Sequence, residues 1–123
     1  MTISIKRAYD PHSSADGVRI LVDRLWPRGV SKEALKPDMW LKEVAPSPLL
    51  RKWFGHDPQR WTEFERRYVD ELKQNAASWE PIVEASRKHH VTLLFGAKDV
   101  EHNNAVVLQN FLRTHQQPAT ARR

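Results

Sequence analysis

The chain contains no cysteine, which excludes disulfides, thiolate nucleophiles and cysteine-ligated metals together. Glycine is scarce, at 4 of 123 residues, and the chain has no Gly-rich phosphate loop. Nucleophile-elbow and kinase signatures are missing as well. No apolar run approaches the ~20 residues that span a bilayer. The first residues, Met1-Thr2-Ile3-Ser4-Ile5-Lys6, lack the apolar stretch of a signal peptide. Neither membrane association nor export is expected, and a cytoplasmic location is. Long basic blocks are also absent. Residues 1–60 hold 11 Lys/Arg against 7 Asp/Glu, and residues 61–123 hold 9 against 8, for a net charge of +5. A bias of this size favours an anionic partner, either a small phosphate or carboxylate or a nucleic acid, without requiring one.

What is present reads as one globular domain: 40% hydrophobic, 28% charged and long enough for a single core. Ile3–Tyr9 alternates apolar and polar residues as a half-exposed strand does. Asp10–Gly17 has loop composition, and Val18–Leu25, apolar on both faces, suits a strand inside a sheet. Ser31–Pro37 reads as a short helix or turn and Met39–Val44 as a third strand. Ser47-Pro48 opens a compact helix that Gly55 closes. Asp57-Pro58 starts a longer one, with Trp61, Phe64, Tyr68 and Leu72 along one stripe. Ser78 is expected to cap a third helix reaching about Lys88. Val91–Phe95 is a last strand, followed by a helix from about Asn103. Strands separated by helices predict an α/β fold, a three-layer domain with a small, mainly parallel sheet flanked by helices. The short Asp10–Gly17 connection leaves an antiparallel first pair open. Residues 1–115 form the expected domain, and the aperiodic 116–123 a frayed tail.

The candidate chemistry is cationic. Asp23-Arg24-Leu25-Trp26-Pro27-Arg28-Gly29 follows a buried strand, where open α/β sheets place ligands. Arg24 and Arg28 offer donor forks for phosphate or carboxylate, and Lys42, Arg51 and Lys98 add charge near other strand or helix ends. The N-terminus of the Ser47 helix would contribute backbone donors, and Trp26 and Trp40 would form walls. The bland alternative is scattered surface charge, with Arg24 paired to Asp23 or Glu43. A second cluster, Lys98-Asp99 with His102, Asn103 and Asn104, lies between a strand and a helix. Asp99 and His102 are the candidates for proton transfer, whereas Asn103 equally suits a helix cap. No metal-ligand spacing is present: His89-His90 would point apart, and His12, His56 and His115 stand alone. No cofactor motif is found, and oligomeric state is not legible. The runner-up is a nucleic-acid or protein interaction module without catalysis; for nucleic acid, aromatics interleaved with cations are lacking.

Asp23–Gly29, Ala45-Pro46-Ser47 with Leu50-Arg51, and Trp61, Phe64, Tyr68, Glu71 and Leu72 together resemble a bacterial family, the domain of unknown function 488, in its short YeaO-like branch. Thr92–Phe95 with Ala97-Lys98-Asp99, and Asn103-Asn104-Ala105 before Val107-Leu108, extend the likeness across residues 3–113. The resemblance implies a compact α/β fold and carries no established activity. It also implies that longer members hold cysteines and a Cys-His-Arg stretch after the last strand. Here Phe95 and Asn103-Asn104-Ala105 stand at that turn, so thiol chemistry does not transfer.

Overall fold

Val91–Phe95 (β4) is buried at every position, the signature of a strand enclosed on both faces. In the computed structural model, which describes residues 2–121 and side chains as far as Thr114, β4 lies between β1 (Ile3–Arg7) and β2 (Val18–Leu21). The two-residue β3 (Met39–Trp40) flanks β2, giving the order β1-β4-β2-β3. All three pairings are parallel.

Side-chain alternation divides the sheet's faces. Ile3, Ile20, Leu93 and Phe95 join the main core with α2 (Pro48–Phe54), α3 (Trp61–Lys73), α4 (Ala76–Ser86) and α5 (Asn104–Ala121). Leu21 and Leu94 face the other way and pack with Ala8 and with Leu35 of α1 (Lys32–Leu35), backed by Trp26, Val30 and Trp40. The result is the expected three-layer α/β domain, with one thick and one thin covering layer. Among the described residues no helix is long and apolar enough to cross a membrane.

The first pair is not antiparallel: β4 separates β1 from β2 and pairs parallel with both. The connection between β1 and β2 therefore returns along the sheet before β2 begins. It is held at Gly17, whose φ is +67° and where an added Cβ would stand 2.2 Å from the His90 carbonyl oxygen. Val18 donates its amide to that oxygen at 2.9 Å. Gly17→Ala is expected to lower unfolding free energy by more than about 1 kcal/mol, read from the urea midpoint. An unchanged midpoint would mean that the connection can move without cost.

Below Gly17 lies a buried charge cluster. Arg19 is 1% exposed. Its Nε and Nη2 donate to the Leu35 carbonyl and its Nη1 to Asp16 at 2.5 Å. Lys6 Nζ donates to both Asp16 oxygens, at 3.1 and 3.0 Å. This cluster joins β1, β2 and α1 at the end of the sheet where β2 begins.

Other boundaries depart from expectation for local reasons. β2 stops at Leu21 rather than Leu25, because Asp23 turns its carboxylate onto the Gly96 amide at 2.8 Å. Met39–Val44 is a strand only through Trp40; a 3₁₀ turn, Lys42–Val44, then buries Val44 in the main core. α4 begins at Ala76, and Ser78 lies in its first turn, donating to the Asn75 carbonyl instead of capping. The Asp57-Pro58 start is a 3₁₀ turn that runs directly into α3. The tail assigned to 116–123 falls outside the described side chains.

Candidate ligand-binding site at the strand ends

Ser47 is the anchor that places α2. Its Oγ accepts the Leu50 amide at 3.1 Å and donates to Glu71 Oε2 at 2.6 Å, while its own amide donates to Glu71 Oε1 at 2.9 Å. Pro48 fills the first turn and Gly55, at φ 53°, closes the helix. Glu71 thus ties the start of α2 to α3, and the next turn of α2 carries Arg51 and Phe54 to the C-terminal ends of β2 and β4. Tyr68 reinforces the same join: its buried hydroxyl donates to the Val44 carbonyl at 2.6 Å.

These ends enclose a cavity of about 270 Å³. Asp23 and Arg24 border it after β2, Gly96 and Ala97 after β4, and His102, Asn103 and Asn104 at the start of α5. Arg51, Phe54, His56 and Phe64 complete the helical side, with Leu25 and Ala45-Pro46 opposite. Phe54 and Phe64 stack with centroids 4.3 Å apart, so the apolar wall is continuous with the main core.

Asp23 is the acidic member. Its Oδ2 accepts the Gly96 amide at 2.8 Å and its Oδ1 accepts Asn104 Nδ2 at 3.2 Å. Burial pushes its carboxyl above the usual range, outweighing the Gly96 and Asn104 bonds and the Arg51 charge that pull it down. Arg51 and Asp23 make no ion pair. The Arg51 guanidinium is exposed and has no hydrogen-bond or ion-pair partner among the described residues. Arg24 is partly committed: Nη2 reaches the Ala45 and Pro46 carbonyls at 3.3 and 3.5 Å, and Nη1 stands 3.8 Å from exposed Glu43. Its pairing is therefore with Glu43 and not with Asp23. Its Nε is buried with no acceptor.

His102 is held from two sides. Its Nδ1 lies 3.0 Å from Asp99 Oδ2, and its ring meets Trp61 edge-on at 5.1 Å. Asp99 Oδ1 accepts the Glu101 and His102 amides, both at 2.9 Å. Those two amide bonds, with the His102 ring, keep the Asp99 carboxyl below the ordinary carboxylate range. Asn103 is a cap: its Oδ1 accepts the Val106 amide at 3.0 Å and its Nδ2 donates to the Asp99 carbonyl at 2.8 Å.

Of the residues singled out from sequence, Arg24, Arg51, His102, Asn103 and Asn104 therefore meet at one cavity, with Asp99 behind His102. The others do not border it. Trp40 is in register with Leu21 and so shares Leu21's face, on the thin side of the sheet. Trp26 packs edge-on against Trp40 at 5.5 Å, and their indole N–H groups donate to Val30 and Asp23 carbonyls. They are walls of the second core rather than of the cavity. Lys42 stacks over the Trp40 ring at 4.3 Å, and Ser47 is used as the α2 cap. Arg28 and Lys98 are exposed and lie off the cavity lining. Asp23, His56, Phe54 and Phe64 were missed. Phe64 reads as helix-stripe core, and both Phe are core residues as well. The available signal was Asp23 itself, an acid at the end of an otherwise apolar strand. Among the described residues no group of three or more His, Asp or Glu could hold a metal ion.

A four-stranded parallel α/β domain with a charged cavity at the C-terminal strand ends is the class this geometry defines. A family model described as the inactive DUF488-N3 subclade matches residues 2–122, and the chain belongs to that family. It is 43% identical over 114 residues to the uncharacterized protein YeaO of Escherichia coli K12, covering 93% of this chain and 99% of that one. The uncharacterized protein Rv3073c of Mycobacterium tuberculosis H37Rv is 37% identical over 110 residues, covering 89% and 92%. No solved structure is a match.

Proposed function

We propose that this protein binds a small anionic ligand, a phosphate or carboxylate, in the strand-end cavity and does not turn it over. The observation that carries the reading is the uncommitted cation there: Arg51 borders the cavity and has no partner among the described residues. An exposed, unpaired guanidinium beside a cavity is a ready donor for an anionic oxygen. His102, aimed by Asp99, is a further donor to the same ligand. Binding without turnover agrees with the family description, inactive, and with the absence of cysteine. Nucleic acid is a weaker fit, because Arg66 and Arg67 of α3 are both engaged by Glu63.

The test is calorimetric titration of the wild-type protein with inorganic phosphate, pyrophosphate and succinate. Saturable one-site binding to at least one, with no product formed on incubation, is expected. Absence of binding to all three would end the proposal.

A further inference from the structure

Resting on that reading of the cavity, we infer that its ligand is dipolar: an anionic group that meets Arg51, joined to an ammonium or hydroxyl donor that meets Asp23. Both residues border the same space, and the Arg51 charge acts on Asp23 without an ion pair between them. Asp23 is not used up by the fold. Each of its oxygens accepts a single hydrogen bond, from Gly96 and from Asn104, and a carboxylate oxygen has room for two. A simple anion entering beside it would meet a carboxylate with no compensating donor. A ligand that carries its own donor would fill the gap between acid and base and satisfy both. The apolar wall of Phe54 and Phe64 lies on the helical side, so the carbon skeleton between the two ends of the ligand has a surface to cover. Burial raises the Asp23 carboxyl above its usual range, a cost that a bound donor would relieve.

Three phosphate monoesters separate the possibilities: methyl phosphate, phosphoethanolamine and ribose 5-phosphate. At least one of the latter two should bind wild type roughly tenfold more tightly than methyl phosphate. Preference for phosphoethanolamine identifies an ammonium donor, and preference for ribose 5-phosphate a hydroxyl donor. Asp23→Asn, which keeps shape and an acceptor for Gly96, should erase that preference and tighten methyl phosphate binding. Should the variant misfold, the wild-type ranking alone decides. Equal affinity for all three esters would overturn the dipolar ligand while leaving the anion pocket standing. If none of the three binds while inorganic phosphate, pyrophosphate or succinate does, the dipolar ligand falls alone; if those fail as well, the anion pocket falls with it.

Discussion

Asp16→Ala should lose about 3–5 kcal/mol of unfolding free energy, the range for removing one partner of a buried ion pair. The size follows from what is left behind. Arg19 is 1% exposed, and without Asp16 its guanidinium retains only the Leu35 carbonyl as acceptor. Lys6 loses its partner at the same time, and so does the Ser13 amide, which donates to Asp16 Oδ2 at 3.0 Å. Chemical denaturation at neutral pH measures the difference. The pH dependence has a definite sign. Burial raises the Asp16 carboxyl, but the bonds from Lys6, Ser13 and Arg19 outweigh it and hold the folded-state value below the ordinary one. A depressed folded pKa contributes stability that is complete above the unfolded carboxylate pKa and is lost as pH falls through the folded value. The gap between wild type and variant should therefore narrow in acid. Asp16→Asn, which keeps the Ser13 contact and removes the charge, should fall between the two. A loss under about 1 kcal/mol for Asp16→Ala would show that water reaches Arg19 readily.

Arg51→Ala should weaken pyrophosphate binding by about 10- to 100-fold, the equivalent of one charge-assisted contact. Its stability should stay within about 0.5 kcal/mol of wild type, since the side chain is exposed, unpaired among the described residues and replaced by the best helix former. The pairing of a large binding loss with an unchanged unfolding midpoint separates ligand contact from a structural role. Arg28→Ala and Lys98→Ala remove the same charge from positions off the cavity, and both should bind pyrophosphate as wild type does. Equal losses in all three variants would point to a diffuse effect of net charge and away from a defined site.

The helices were legible because their ends carry local chemistry. Ser47-Pro48 and Gly55 delimit α2, and Phe64, Tyr68 and Leu72 give α3 its buried stripe. β4 was legible from Val91–Phe95 alone. Strand order was not, since nothing local says that β4 inserts between β1 and β2; that is settled by Gly17 pressing on His90 and by Thr92 donating to the Asp16 carbonyl. For the site, the position of Arg24 at a strand end and of His102 before a helix was enough to bring both to one edge. Which side of the sheet a residue serves depends on register. Trp40 moved to the second core because it pairs with Leu21, a fact outside any window around residue 40. His56 read as isolated because α2 and α3 meet only in three dimensions. It lies on the cavity after Gly55, with a φ of 57° that aims it out of the helix path.

Binding at the strand ends is most directly tested by following the backbone amides of the isotope-labelled protein during a pyrophosphate titration. Saturable shifts should concentrate at Gly96, Ala97, Asn104 and Arg51, with residues 13–19 at the opposite end of the sheet unchanged. Shifts spread over the basic surface, or centred on Arg28 and Lys98, would contradict a ligand held between Arg24 and Arg51.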